Sequence, residues 1–274
     1  MLQPFPDRPS AEAILAAVPG LAPYARPAVI LEPTPGTPGV RESSIGGPLL
    51  WPADEPWPHC SVPDESSAEE EPEPSAMVPV VQVFRADAPG AWWPDGPDGA
   101  DVFQLLWCPN MHWDPPAPQP DVNPVIEIRW RRAADVTDVL AEPPVPLRTG
   151  DELDGFMPRP CTLTSFPYTD FANTDELPED LVPEVWRLME PDNGADPDQQ
   201  VPITSLGGIK FGGWPYWGIT DPYEHRCDVC DAVMPLLFTV ASDNRTGIVV
   251  GRFGDLRVFA CPRDVGHGYW FDVQ

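Results

Sequence analysis

One turn is written twice in this chain. Gly46-Gly47-Pro48-Leu49-Leu50-Trp51 lies over Gly212-Gly213-Trp214-Pro215-Tyr216-Trp217, and the same offset pairs Glu55-Pro56 with Asp221-Pro222 and His59 with His225. A cysteine follows each histidine: Cys60 at once, Cys227 after one further residue. A methionine-led apolar stretch comes next in both copies, Met77-Val78-Pro79-Val80-Val81 and Met234-Pro235-Leu236-Leu237. Phe103 to Pro109 then matches Leu256 to Pro262, each ending in Cys-Pro. Features that recur in one order mark a repeated structural unit. The diglycines, Gly46, Gly47, Gly212 and Gly213, permit positive φ and close backbone approach, and Trp51 and Trp217 are expected to cover the two turns. Each copy can then cover the apolar face of the other. The expected fold is mainly β, a β-rich α+β single domain over residues 1–274, with repeat 1 at 41–132, a connecting insert at 133–204 and repeat 2 at 205–274. The two repeats are expected to form a pseudo-two-fold body, with a few short helices and many Pro-rich loops.

Proline occupies 41 of the 274 positions, and each one fixes φ and removes a backbone donor. That density argues against long helices and against a wide regular sheet. Eleven tryptophans and eleven phenylalanines still supply enough apolar surface for a folded, loop-rich body. Ser10 is placed to cap a short helix lined by Ile14, Leu15 and Val18, and Pro183 suits the first turn of a second one. Strands are expected at Pro27–Glu32, Val78–Arg85, Val102–Cys108, Val125–Arg131, Leu236–Ser242, Gly247–Arg252 and Leu256–Cys261. The fourth alternates well, Val125, Glu127, Arg129 and Arg131 against Ile126, Ile128 and Trp130. Asp64 to Pro74 is an acidic low-complexity loop, and Asp192 to Gln200 a polar one.

The formal net charge is −27, and Lys210 is the single lysine beside fifteen arginines. Such a surface repels phosphate backbones and anionic lipid, so nucleic acid and membrane are excluded as partners and a basic protein partner is favoured. The N-terminus lacks a basic region and a long apolar run, which points to a cytoplasmic protein. Its thiols are then expected to be reduced, and metal binding or burial is a better reading of the cysteines than disulfides.

All four histidines and five of the six cysteines fall in the repeated elements. In the second half Cys227-x2-Cys230 supplies two ligands at zinc-knuckle spacing, Cys261 follows a strand, and His267 follows Cys261. Zinc takes about four N or S donors, so Cys227, Cys230, Cys261 and His267 form the first candidate site, with His225 the rival to His267. His59, Cys60, Cys108 and His112 form a weaker counterpart, in which adjacency lets only one of His59 and Cys60 bind. Cys161 belongs to neither group and is expected in the core.

The turns and the knuckle carry a family resemblance. GGPLLWP followed by an apolar strand, and KFGGWPYW with C-x2-C and MPLLF, look like the YwqG-like family and resemble the C-terminal half of the programmed cell death protein 2 family. Gly212, Gly213, Pro215, Trp217, Cys227, Cys230, Pro235, Leu236 and Leu237 match the second pattern, and the resemblance covers about residues 41–132 and 205–274. It implies a duplicated, intertwined β-rich fold without established catalytic residues. Eukaryotic members are associated with chaperoning a ribosomal protein, and bacterial ones with toxin neighbourhoods and immunity. Phe238 departs from the glutamine usual in the second-half strand, whereas Gln82 is present in the first.

Three functional readings follow. The first is a non-catalytic protein-binding module, chaperone-like or toxin-neutralising, with Trp92, Trp93, Trp113, Tyr216 and Trp217 as candidate anchors. Trp51, Trp107 and Trp217 are also expected in the core. The second is a hydrolase-type enzyme using a Cys/His or zinc site, for instance Cys108 with His112. The third is a nucleic-acid mimic. No nucleophile motif surrounds these residues, and Lys210, without the rest of a phosphate-binding loop, reads as a surface group.

Overall fold

The computed structural model describes residues 5–62, 74–94, 99–110, 112, 124–146, 155–189 and 203–274. Helix α1 (Ala11–Ala17) begins where Ser10 accepts a hydrogen bond from the Ala13 N–H, and it buries Ile14. Helix α2 (Val182–Met189) carries Pro183 in its first turn. No helix among the described residues is long and apolar enough to cross a membrane.

The strands, in chain order, are β1 (Ala25–Pro35), β2 (Ser44–Ile45), β3 (His59–Cys60), β4 (Ser75–Ala76), β5 (Val78–Phe84) and β6 (Val102–Trp107). They continue with β7 (Ile126–Arg131), β8 (Cys161–Phe171), β9 (Lys210–Gly212), β10 (Leu236–Ala241), β11 (Asp255–Ala260) and β12 (Tyr269–Val273). Ten of them make one antiparallel sheet in the order β12-β11-β10-β9-β1-β8-β2-β5-β6-β7, and β3 pairs with β4 alone. β1 and β8 lie at its centre and pair over their whole length, from Ala25 opposite Phe171 to Pro35 opposite Cys161. Each then pairs outward with a short strand of the other end of the chain, β1 with β9 and β8 with β2. The segment expected merely to connect two halves thus supplies a central strand.

A ten-stranded sheet overturns the expectation that proline would forbid one, and the register explains how. The Leu31 N–H donates to Ile209 O, on the side of β1 that faces away from β8. Along a strand, alternate N–H groups point the same way, so Pro27, Pro33 and Pro35 all aim their missing donor in that direction. β9 pairs only with Ala28 to Ile30, so no ladder bond is lost at those three prolines. Pro167 of β8 stands opposite Val29, in the same non-hydrogen-bonded class of pair. Pro79 of β5 falls at an irregularity in the register with β6.

The sheet curls, and its edges approach: Trp130 Nε1 of β7 donates to the Tyr269 hydroxyl of β12 at 2.6 Å. The main core fills the curl, with Phe103, Phe211 and Phe238 meeting pairwise at centroid distances of 5.4–5.6 Å. Trp93 stacks on Phe211, and Cys161 is buried in the same core. Ile128 and Trp130 pack against it while Arg131 faces Glu55, as the alternation in β7 anticipates. A second core joins α1 and α2 over Phe171.

The expected strand at Gly247–Arg252 is instead a pair of isolated bridges, Asp243 to Ile248 and Val250 to Gly254. Gly247 and Gly251 take φ of +70° and +54°, which ends extended chain on either side. Asp255 opens β11, and burial pushes its carboxyl up to about 6. A folded-state value above the unfolded one means that Asp255 costs nothing below pH ~4 and progressively destabilises as pH rises towards 6. Asp255→Asn is therefore expected to add about 3 kcal/mol at pH 7 and almost nothing near pH 4. Urea titrations at the two pH values read that difference directly, and equal gains at both would exclude the assignment.

Candidate metal centre

All four diglycine positions take positive φ, between +70° and +78°, as the repeated turns require. At Gly213 a Cβ would lie 2.6 Å from Asp170 Oδ2 and 2.9 Å from the Ala28 Cβ, so glycine alone fits there. In the first half Gln82 anchors the chain beyond the turn: its Oε1 accepts from Leu50 N at 2.7 Å and from Gln104 Nε2 at 2.8 Å. In the second half Thr239, not Phe238, occupies the equivalent register position, because Gln82 stands opposite Gln104 and Thr239 opposite Arg257. Trp51 and Trp217 are buried, and each carries a guanidinium 4.1 Å from its ring centroid, Arg131 over Trp51 and Arg257 over Trp217.

Lys210 is not on the surface. It is fully buried in β9, and its ammonium donates to Asp170 Oδ2 at 3.0 Å, to Leu206 O at 2.6 Å and to Trp214 O. Asp170 accepts as well from the Trp214 and Leu206 N–H groups. The lone lysine is thus the pin of the second diglycine turn. Sequence reasoning missed it because the partner carboxylate comes from β8, forty residues away.

Beyond these turns, Cys227, Cys230, Cys261 and His267 bring one donor atom each within 4.8 Å of one another. The Cys230 and Cys261 sulfurs are 3.5 Å apart, too far for a disulfide, and all six cysteines are free. His267 Nδ1 is 3.4 Å from the Cys261 sulfur and 3.6 Å from that of Cys227. Zinc bonds of about 2.3 Å to sulfur and about 2.0–2.1 Å to nitrogen, at tetrahedral angles, give edges of roughly 3.8 Å between sulfurs and roughly 3.5 Å between sulfur and nitrogen. The donors already stand near that spacing. The elements explain why: Cys227 to Cys230 is a tight turn closed by Asp231 N donating to Cys227 O, and Cys261 leaves the end of β11. Asp264 caps the short turn that carries His267. Met234, Leu236 and Phe259 pack with Cys227 and Cys261 as a small satellite core.

Burial works against a thiolate at Cys261, but the nearby Arg263 and Asp264 N–H groups and the Cys230 and Cys227 thiols outweigh it, so its pKa falls below the ordinary thiol value. The thiolate is the form in which cysteine binds metal. Together the three sulfurs and the imidazole could hold a metal ion.

His225, the rival fourth ligand, lies outside the group. Its Nε2 is 3.4 Å from Asp272 Oδ2, and its ring packs on Phe259 and Trp270. In the first half Cys60, Cys108 and His112 also lie within 4.8 Å, with Cys60 Sγ 3.5 Å from His112 Nε2. His59 points the other way, half of an alternating pair in β3, and its Nδ1 bonds to Trp57 O. The geometric choice between the adjacent pair therefore falls on Cys60. The Cys60 thiol is drawn down to about 5, chiefly by its bond with the Cys108 thiol, against burial and with help from the His112 ring.

Of the expected anchors, Trp93 is core, Trp92 is half-buried and Tyr216 is exposed. Trp113 and nearly all of both polar loops lie outside the described residues. No protein-family model matches the chain, and no curated protein matches it.

Proposed function

We propose that this is a non-catalytic protein-binding module of YwqG-like type, built from two intertwined copies of one unit and held in its second half by a structural zinc ion. The duplication is supported by the strand order, in which β1, β2, β5, β6 and β7 stand where β8, β9, β10, β11 and β12 stand from the opposite edge. On that reading each copy begins one long strand earlier than the sequence repeat, and the two long strands are exchanged at the centre. Zinc is supported by three thiols and an imidazole at tetrahedral spacing, a donor set that suits a borderline-soft cation and no hard one. Four protein ligands leave no open position, so the ion is structural.

Binding rests on one observation. Ten large apolar side chains are exposed among the described residues, and five of them, Tyr216, Ile219, Tyr223, Val229 and Val233, cluster in the chain around the knuckle. Exposed apolar side chains so close together in the chain support an interaction face there. A cleft of about 620 Å³ opens beside it, with Trp214, Trp217 and Tyr223 on its walls and Glu176, Glu224 and Arg26, the last stacked on Trp214, among its lining. Aromatic walls with acidic groups, on a chain of charge −27, suit a basic protein partner steered by charge and seated on apolar contacts. Reduced thiols and this charge fit a cytoplasmic setting.

Immobilised full-length protein is expected to retain basic proteins at low ionic strength and to release them at high salt. The Ile219→Asp and Val229→Asp variants should lose that retention while melting like the parent. Retention unaffected by both variants would place the binding face elsewhere, and none at any salt would end the reading.

A further inference from the structure

We propose that the first half of the chain binds a second zinc ion, independent of the first, through Cys60, Cys108 and His112. These three side chains are almost wholly inaccessible, at 5%, 0% and 0% exposure. His112 Nε2 faces the Cys60 sulfur at 3.5 Å, the sulfur–nitrogen edge of a zinc tetrahedron, roughly 3.5 Å. All three donor atoms lie within 4.8 Å.

The surroundings repeat those of the other centre. Cys108 leaves the end of β6 as Cys261 leaves the end of β11, and each is followed by proline. Cys60, Met77, Leu106 and Cys108 share a satellite core with Leu49, Trp51 and Trp57. Cys227, Met234, Phe259 and Cys261 share the corresponding one. A donor cluster found at the same place in both satellite cores is held by the architecture and is not an accident of one loop.

Charge favours the same conclusion. With Cys60 and Cys108 both bound as thiolates, any thiol proton having passed to solvent, and the imidazole neutral, the two negative charges balance a dication. A site of zero net charge is the cheapest one to place among apolar side chains. Two sulfurs and one nitrogen also select zinc over magnesium or calcium, which take oxygen.

Metal analysis of the purified full chain decides the matter. The parent is expected to carry two zinc ions, the Cys60→Ser/Cys108→Ser variant one, and the Cys227→Ser/Cys261→Ser variant one. Cobalt titration of the metal-free parent, followed by the thiolate-to-cobalt absorption band, should show two equivalents and needs no variant to fold. One equivalent in the parent, lost only with the Cys227/Cys261 pair, overturns the second site and leaves the first intact. One equivalent lost only with the Cys60/Cys108 pair does the reverse.

Discussion

Asp170→Ala is expected to lower stability by about 3–5 kcal/mol, enough to unfold a marginal domain. Asp170 and Lys210 are both fully buried and meet at 3.0 Å, so removing the carboxylate leaves an ammonium in the interior with only the Leu206 and Trp214 carbonyls. The loss also strips an acceptor from the Leu206 and Trp214 N–H groups, which would become buried and unpaired. The comparison that isolates the charge is Asp170→Leu/Lys210→Met, which removes both ions. Replacing a buried pair by apolar groups is often close to neutral, so the double variant should recover most of the loss. Denaturant midpoints of the three proteins test this. A double variant as unstable as Asp170→Ala would mean that the turn needs the carboxylate's hydrogen bonds more than it needs charge balance.

Removing metal from the Cys227/Cys230/Cys261/His267 centre should have a comparable effect. At free zinc a thousand-fold above the dissociation constant, the ion adds about 4 kcal/mol to the native state. Chelation is expected to lower the melting temperature accordingly, and added zinc to restore it. Cys261→Ser should melt low whether or not zinc is present, because serine does not supply a thiolate. Acid should act in the same direction: as pH falls the ligands take up protons, affinity drops and the melting temperature becomes less sensitive to zinc. A melting temperature indifferent to both chelator and zinc across pH 6–8 (roughly the range over which thiol ligands exchange protons for metal) would remove the ion from this centre.

Much of this site was legible before any coordinates, for local reasons. Two cysteines with only two residues between them must lie close, whatever surrounds them, and a diglycine adopts without steric cost the positive φ that other residues resist. The Ser10 cap and the alternation in β7 are likewise settled within a few residues. Choices that needed a distant partner were not legible. Which histidine completes the knuckle depends on Asp272, which engages His225 and removes it from the ligand group. Phe238 looked like the register position of Gln82, but the pairing of β10 with β11 puts Thr239 there.

The class of the fold, the two turns and the candidate metal-donor residues can be read without the fold in hand, because each depends on dihedral preference, residue spacing or side-chain chemistry that acts over short range. Long-range packing alone made β1 and β8 the central pair and put Lys210 in the interior. It also decided that three prolines of β1 could sit in the middle of a ten-stranded sheet. A proline costs a sheet nothing when its nitrogen faces a gap, and where the gap falls is set by the length of β9, a strand that pairs with β1 over only three residues.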